Sequence, residues 1–575
     1  MSFFVKKSTP SKKGLYLQIY QNTYIPGKGN RNRSYQVVGY YDDLIKQGIN
    51  DPFKYAQEIA DSLNNQSDVR KERKIGDVSL TKNLGYFLLK SMIDYLDVDT
   101  LLGHLTSNRR TSFKTSDFIR SMIYAQVINP SSKHKAFERV LPSIYGCDTF
   151  SYDQILDTIN YIGNDYQKFI EIFNIQIDKK WKRKTSKAYF DCTNYYFEID
   201  LPFEDKQKGP SKEERHLPII SQALLLDEEQ IPLAMSLFPG NESEKPHIRN
   251  TIEKLKNRYD INSKIVQVAD KGLNCARNIY AASIEAKDGY IFSKSVHGKN
   301  LSKEEKNWVL LDNENNIWYT VYDKNNKVAY KYKECIDTFD YSFTNEEGKK
   351  ISFKVKEKRI VTFNPSLARK QRIQIQKEID KASHIASYRE SEKESYGDSI
   401  KYVKFYTPDN NGEIVKPVVE MNQDKINEDL SFAGYNLLVT SEIDKSAEEI
   451  YKAYHGLWRI EESFRIMKTY LEARPIYLQN KESIYGHFTI CYLALLILRL
   501  LEIKVFNEEL SVADLISFIR SYNITETLEG SFINNAYKSS VLDIIQKRFE
   551  LSKLDNAQLK KKDVENILNA ELYFD

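Results

Sequence analysis

Between residues 187 and 292, runs rich in β-branched and aromatic residues alternate with runs of helical spacing. The order is three strands, helix, strand, helix, strand. Strands are expected at 187–199, 219–226, 231–238, 265–269 and 290–292, and helices at 244–257 and 276–284. That order builds a mixed α/β sheet. A strand at 435–439 and a long helix from Ala447 resume the pattern after an interruption.

The interruption, 295–434, reads as a β-rich insertion. Hairpins are expected at 317–323 with 327–334 and at 339–343 with 351–363. A basic helix after Pro365 carries Arg369, Lys370, Arg372 and Lys377, and a third strand pair is expected at 401–406 and 414–421. Before the sheet, residues 1–75 form an α+β arm, with strands at 15–20 and 35–41, a helix at 52–63 and a charged linker at 64–74. Residues 76–180 read as helices at 84–96, 116–128 and 152–173. The chain is thus divided into 1–75, 76–180, a core in two parts at 181–294 and 435–505, the insertion, and a helical region at 506–575.

Composition narrows the function classes. Net charge is +4 over 575 residues, so any basic surface is local. The five cysteines show no Cys-x-x-Cys spacing, which argues against a zinc site or a disulfide framework and for a reducing, cytoplasmic setting. The N-terminal residues lack the apolar run of a signal peptide. The most apolar run, 488–498, is too short to span a bilayer and reads as a buried helix.

Within the helix from Ala447, Ser446 and Glu449 make a capping box, and Pro475 limits its end. Leu457, Ile460, Phe464, Met467 and Leu471 form an apolar stripe. Tyr454, Glu461 and Lys468 form a second stripe, which puts Glu461 about 40° round the helix from Leu457, at the edge of the buried face. By itself this is equally a charged helix flank. Asp191 follows an apolar triplet and Asp270 ends the strand at 265–269; each alone also fits a turn or cap. Together the three acids are oxygen ligands of the kind hard divalent cations take, and two such ions activate and stabilise the oxygens of phosphodiester exchange.

The segment from Tyr454 to Lys468 resembles the signature helix, Tyr-x2-Arg-x3-Glu-x6-Lys, of a group of bacterial insertion-sequence transposases, the IS-four superfamily. Asp191-x-Thr193 is similar to the group's first acidic motif and Asp270-Lys271-Gly272 to its second, and Gly240, Asn241, Glu244 and the insertion are also typical. The resemblance implies a ribonuclease-H-like catalytic core, cleavage of DNA at inverted-repeat ends and joining to target DNA. It implies Asp191, Asp270 and Glu461 as catalytic ligands of Mg²⁺, with Mn²⁺ as a substitute, and a dimer in the synaptic complex. Tyr454, Lys468 and Lys271 would contact DNA. One position departs: Leu457 stands where the pattern has Arg, which transfers the expected phosphate contact to Arg459 or Arg465. The helical region, with the N-terminal arm, is expected to bind DNA; Arg109, Arg110, Lys133, Lys135 and the basic run 182–187 are candidates there, with a solvated surface as the alternative.

Trp308 and Trp318 in the insertion are either hairpin packing or a stack for an extruded base. A decayed relative that binds DNA without cutting is the alternative function. A tyrosine recombinase is set aside because none of the eight histidines has Arg three residues later.

Overall fold

A computed structural model describes residues 2–8, 14–25, 29–69, 79–109, 113–148, 150–210, 217–259, 261–296, 301–310, 317–386, 393–406, 418–527 and 529–574. The chain divides into two compact units, Met1–Ser79 and Leu80–Asp575.

In the first unit β1 (Ser2–Ser8), β2 (Tyr16–Ile25) and β3 (Gly29–Tyr40) form an antiparallel sheet in that order. Helices α1 (Tyr41–Lys46) and α2 (Pro52–Val69) follow. Leu17 and Ile19 alternate onto the face that packs with Ala56 and Ala60 of α2. The helix runs through Val69, beyond the point where the linker was expected. Residues 70–74 of that linker lie outside the described residues.

The second unit opens with β4 (Thr81–Asn83) and helices α3 (Phe87–Leu96), α4 (Asp99–Leu105) and α5 (Thr115–Ile128). A single turn, α6 (Lys133–Lys135), precedes α7 (Tyr152–Asn164) and α8 (Tyr166–Trp181). The one helix expected over 152–173 is two, because Asp165 leaves helical geometry at φ −121° and ψ 29°.

Among the described residues the central sheet has nine strands. In chain order they are β5 (Lys187–Tyr196), β6 (Ile219–Leu226), β7 (Pro232–Pro239), β8 (Val266–Ala269), β9 (Gly289–Lys294), β10 (Tyr319–Tyr322), β11 (Val328–Thr344), β12 (Lys350–Phe363) and β15 (Tyr435–Thr440). Their spatial order is β10-β11-β12-β15-β9-β8-β5-β6-β7. Strands β5, β8 and β9 are mutually parallel, and the other pairs are antiparallel. Parallel neighbours need helical crossovers; α9 (Lys245–Tyr259) lies before β8, and α10 (Ala276–Tyr280) links β8 to β9. Every residue of β6 is buried, as expected for a strand covered on both faces.

The insertion is part of this sheet. Val328–Thr344 is a single strand rather than halves of two hairpins, because its pairing with β12 is continuous from Lys331↔Phe363 to Thr344↔Lys350. β12 then pairs with β15 and so joins the core. Helix α11 (Lys303–Leu310), the basic α12 (Pro365–Ala386), the pair β13 (Val403–Tyr406) and β14 (Val418–Met421), and α13 (Gln423–Phe432) complete it. The expected strand residues 414–417 lie outside the described residues.

Three elements carry the signature segment: α14 (Ala447–His455), α15 (Trp458–Arg465) and a wide π turn over Ile466–Tyr470. Helix α16 (Lys481–Leu500) then enters the centre, buried on every side from Ser483 to Leu500. It packs on α3, α5, α7 and α8, so the helical region shares one core with the signature segment. At α7 the backbones touch: a Cβ on Gly486 would stand 2.1 Å from the Ile159 carbonyl oxygen. After α17 (Val512–Ser521), the C-terminal region is not purely helical. β16 (Asn523–Glu526) pairs with β4, and β17 (Phe532–Asn534) and β18 (Gln558–Leu559) complete a four-stranded sheet in the order β18-β17-β16-β4, with α18 (Ser540–Arg548) between β17 and β18 and α19 (Lys561–Leu568) after them.

Candidate active site

Strand register brings two of the three acids together. The ladder between β5 and β8 ends at Phe190↔Ala269, and that between β8 and β9 at Ala269↔Phe292. One step further, Asp191, Asp270 and Ser293 stand side by side on three parallel strands, each about 4.8 Å from the next. Alternation fixes their face. Tyr189, Val268 and Ile291 pack into the core around α16, so the residues two positions on point to that same side.

That side is crossed by the signature segment, with α14 over β8 and β9 and α15 over β5 and β6. The capping box forms as expected, since Ser446 Oγ accepts from the Glu449 amide and the Glu449 carboxylate accepts from the Ser446 amide. The apolar stripe is buried throughout: Leu457, Ile460, Phe464, Met467 and Leu471 all lie in the core. The segment is not one regular helix. It tightens at Gly456–Leu457, where the Leu457 amide donates to Tyr454, and widens where the Leu471 amide donates to Ile466. It ends before Leu471, earlier than Pro475 would impose. Gly456 permits the tight passage: a Cβ there would stand 2.6 Å from the Tyr189 ring, two residues before Asp191.

Asp270 is the most elaborated of the acids. Its Oδ1 accepts from Tyr454 Oη at 2.9 Å and from Ser293 Oγ at 2.8 Å. Burial pushes its pKa up. The Lys271 amide, the two hydroxyls and the Lys271 ammonium more than offset that, leaving it below the usual aspartate value. In return, burial and then the Asp270 charge raise the Tyr454 phenol above its ordinary range. Asp191 Oδ1 accepts from its neighbouring Cys192 amide at 2.7 Å. Glu461 is exposed on α15, and Lys468 lies on the π turn with its ammonium 5.4 Å from the centre of the Tyr195 ring on β5. Among the described residues no three His, Cys, Asp or Glu side chains are gathered into a metal cage. In donor chemistry the acids nevertheless suit a hard divalent ion, being carboxylates of which Asp270 is held ionised.

Sequence reasoning missed what holds α15. Arg499, wholly buried in α16, donates to Glu462 at 2.9 Å and to Ser463 Oγ at 3.2 Å, and also pairs with Glu502. Arg459 joins the same network. It pairs with Glu462 at 3.0 Å and with Glu508, and it is 7% exposed. The expectation that Arg459 faces DNA is therefore corrected: its guanidinium is committed inside the protein. Arg465 and Lys271 are exposed. The signal for the network is the one arginine that closes the apolar run of α16.

Other basic candidates are also engaged by groups of the chain itself. Arg183 forms a buried pair with Asp227 at 2.7 Å, and Lys187 pairs with Glu228 at 2.9 Å. Arg109 stacks on Tyr161 and donates to Thr158; Arg110 lies outside the described residues. Trp308 and Trp318 pack against the sheet core, with the Lys333 ammonium 5.6 and 4.7 Å from their ring centres.

Fold and site define an α/β protein in which aspartates on two parallel strands lie beneath a segment bearing a glutamate. Residues 181–497 match the family described as the transposase DDE domain, and the chain, matched over more than half its length, belongs to that family. No curated protein matches it. Among solved structures it is similar to the cryo-EM structure of a piggyBac transposase synaptic complex with hairpin DNA. That likeness covers 85% of this chain and 84% of the other at 10% identity, with a TM-score of 0.31, too remote to inform the site.

Proposed function

We propose that the protein is an insertion-sequence transposase of the group with the Tyr-x2-Arg-x3-Glu-x6-Lys signature, cutting the inverted-repeat ends of its element and joining them to target DNA. The observation that carries this reading is the pairing of Asp191 with Asp270 one step beyond the last rung of adjacent parallel strands, beneath the segment that carries Glu461. Asp191, Asp270 and Glu461 would hold Mg²⁺, or Mn²⁺ in its place. Such ions supply a more acidic bound water and charge stabilisation at the leaving oxygen. The chain's own groups set the protonation: Ser293, Tyr454 and the Lys271 amide keep Asp270 ionised. Arg465, Lys468 and Lys271 are the side chains proposed to meet DNA phosphates.

DNA as partner is supported by how charge is distributed. The first 40 residues contain seven Lys and Arg and no Asp or Glu, more than the whole net charge of +4. In the first unit Lys6, Lys7, Arg31 and Arg33 are exposed on its sheet. We read this unit as a DNA-binding arm, and the active species as a dimer on paired ends, acting in the bacterial cytoplasm.

The test is cleavage of labelled duplex carrying the flanking inverted repeats, with Mg²⁺, by wild type and Asp270→Ala. Metal-dependent release of 3′ ends by wild type, abolished by EDTA and by the substitution, is expected. Binding without cutting by both proteins would favour a decayed relative. Cutting that survives Asp270→Ala would refute the assignment of the acids.

A further inference from the structure

A cavity of about 510 Å³ lies between the turn at Ser131–Lys135 and the segment that follows the signature helix, Glu472–Leu478. Its polar groups are not balanced. Lys133 is 5% exposed, and among the described residues its ammonium forms no ion pair. Its hydrogen bond is to Gln126 Oε1 at 3.3 Å, and that amide is anchored in turn on the Leu471 carbonyl at 2.6 Å. Beside it the Ser131 hydroxyl oxygen is buried and, among the described residues, has no hydrogen-bond partner.

Lysines are almost never buried unless paired, because a low dielectric disfavours the ammonium, and burial lowers the Lys133 pKa accordingly, so an anion in the cavity would restore the charged form. The nearby groups do not compensate this one. His487 lines the same cavity, but burial, and then the Lys133 charge, depress its pKa to about 3, so it is neutral. Burial raises the Cys491 thiol to about 12, so it carries no charge either. The rim adds His134 and Lys135, both exposed, with Tyr152 and Tyr477 at the sides and, among the described residues, Glu472 as its acid.

We propose that this cavity is a phosphate site, in which Lys133 and the Ser131 hydroxyl bind the oxygens of a DNA phosphate while the two tyrosines flank its sugar and base. The volume suits one nucleotide. The anion supplies the counter-charge that Lys133 lacks, and the Gln126 bridge ties the occupied pocket to the end of the signature segment. The identity of the phosphate as DNA rests on the transposase reading; the phosphate chemistry does not.

The test uses the full chain. Inorganic phosphate, at ionic strength matched with chloride, is expected to raise the melting temperature of wild type and not of Lys133→Met. Without phosphate, Lys133→Met is expected to melt higher than wild type, because an unpaired buried charge has been replaced by an apolar chain of similar length. Binding of duplex DNA is expected to weaken about tenfold to a hundredfold, and the slope of log affinity against log salt to fall by about 0.9. Lys133→Arg should keep most of the affinity. Ser131→Asp, which puts a carboxylate beside the ammonium, should abolish the phosphate response even if Lys133→Met fails to fold.

A lower-melting Lys133→Met with unchanged DNA binding would make Lys133 a structural residue and overturn the proposal. A phosphate response with DNA binding unchanged would assign the pocket to a free phosphate compound and overturn its DNA role. Neither outcome touches the Asp270→Ala cleavage result, which decides the transposase reading separately.

Discussion

Replacing Gly456 by alanine perturbs the site without touching a carboxylate. The added Cβ would stand 2.6 Å from Tyr189 Cε1 and 2.8 Å from its Cζ and hydroxyl oxygen. Ordinary van der Waals contact begins at 3.4 Å, so the helix or the ring must give by about 0.8 Å. The ring has little freedom, since Tyr189 is 4% exposed within the sheet core. Overpacking of this kind costs about 1–3 kcal/mol. Alanine recovers up to about 1 kcal/mol in helix propensity, so the net loss of stability is about 0–3 kcal/mol. The kinetic effect should be larger. A displacement of about 1 Å between reacting groups can lower a rate about 100-fold, and Glu461 lies five residues beyond Gly456, on the segment that must move. The expected result is single-turnover end cleavage reduced by one to two orders of magnitude with a modest change in melting temperature. Gly456→Ala/Tyr189→Leu, which opens the space, should recover much of the rate. Cleavage within twofold of wild type would show that the close approach does not set the position of Glu461.

Removing the hydroxyls on Asp270, by Ser293→Ala with Tyr454→Phe, leaves burial less opposed, so its pKa should rise. In wild type the depressed value means that Asp270 contributes stability above the ordinary aspartate pKa and loses it as pH falls through the lower folded one. In the double variant the acid limb of the cleavage profile should move to higher pH, and an unmoved limb would mean that these hydroxyls do not set the charge. Arg499→Met strands Glu502, which is 3% exposed in the network and keeps Arg459 3.7 Å away. The expected cost is about 3 kcal/mol by urea unfolding, largely restored by adding Glu502→Gln; a loss under 1 kcal/mol would contradict a buried network that anchors α15.

What could be read from the sequence follows the range of the interactions. The capping box, the buried stripe and the ends of β6 and β8 depend on neighbours within a few residues, and they lie where periodicity puts them. Ser293 was out of reach because its place beside Asp270 is set by the register between β8 and β9, and the local pattern had ended that strand at residue 292. Strand β11 was split for a related reason. The residues between the two runs read as strands, Cys335–Thr338, break the pattern with Asp337 and Thr338, and Ile336–Thr338 are exposed, so this stretch is held by its ladder with β12 rather than by a buried face. The basic runs misled because charge on a sequence does not reveal its partner: Arg183 and Arg459 meet carboxylates 44 and 49 residues away or nearer, inside the fold.

The departure at Leu457 then has a physical consequence. The residue at that position is 8% exposed and belongs to the core stripe, so the signature segment offers no side chain there to a phosphate. The next arginine, Arg459, is turned inward to Glu462 and Glu508. Arg499 binds the same Glu462 from the buried side, so the segment is pinned to α16 through the residue next to Glu461. Its face toward α16 is therefore given to fixing the glutamate. On the proposed reading, phosphate binding near the acids passes to Arg465, Lys468 and Lys271, and, beyond the end of the segment, to the cavity around Lys133. Because Gln126 connects that cavity to Leu471, a phosphate held there would bear on the same segment from its far end.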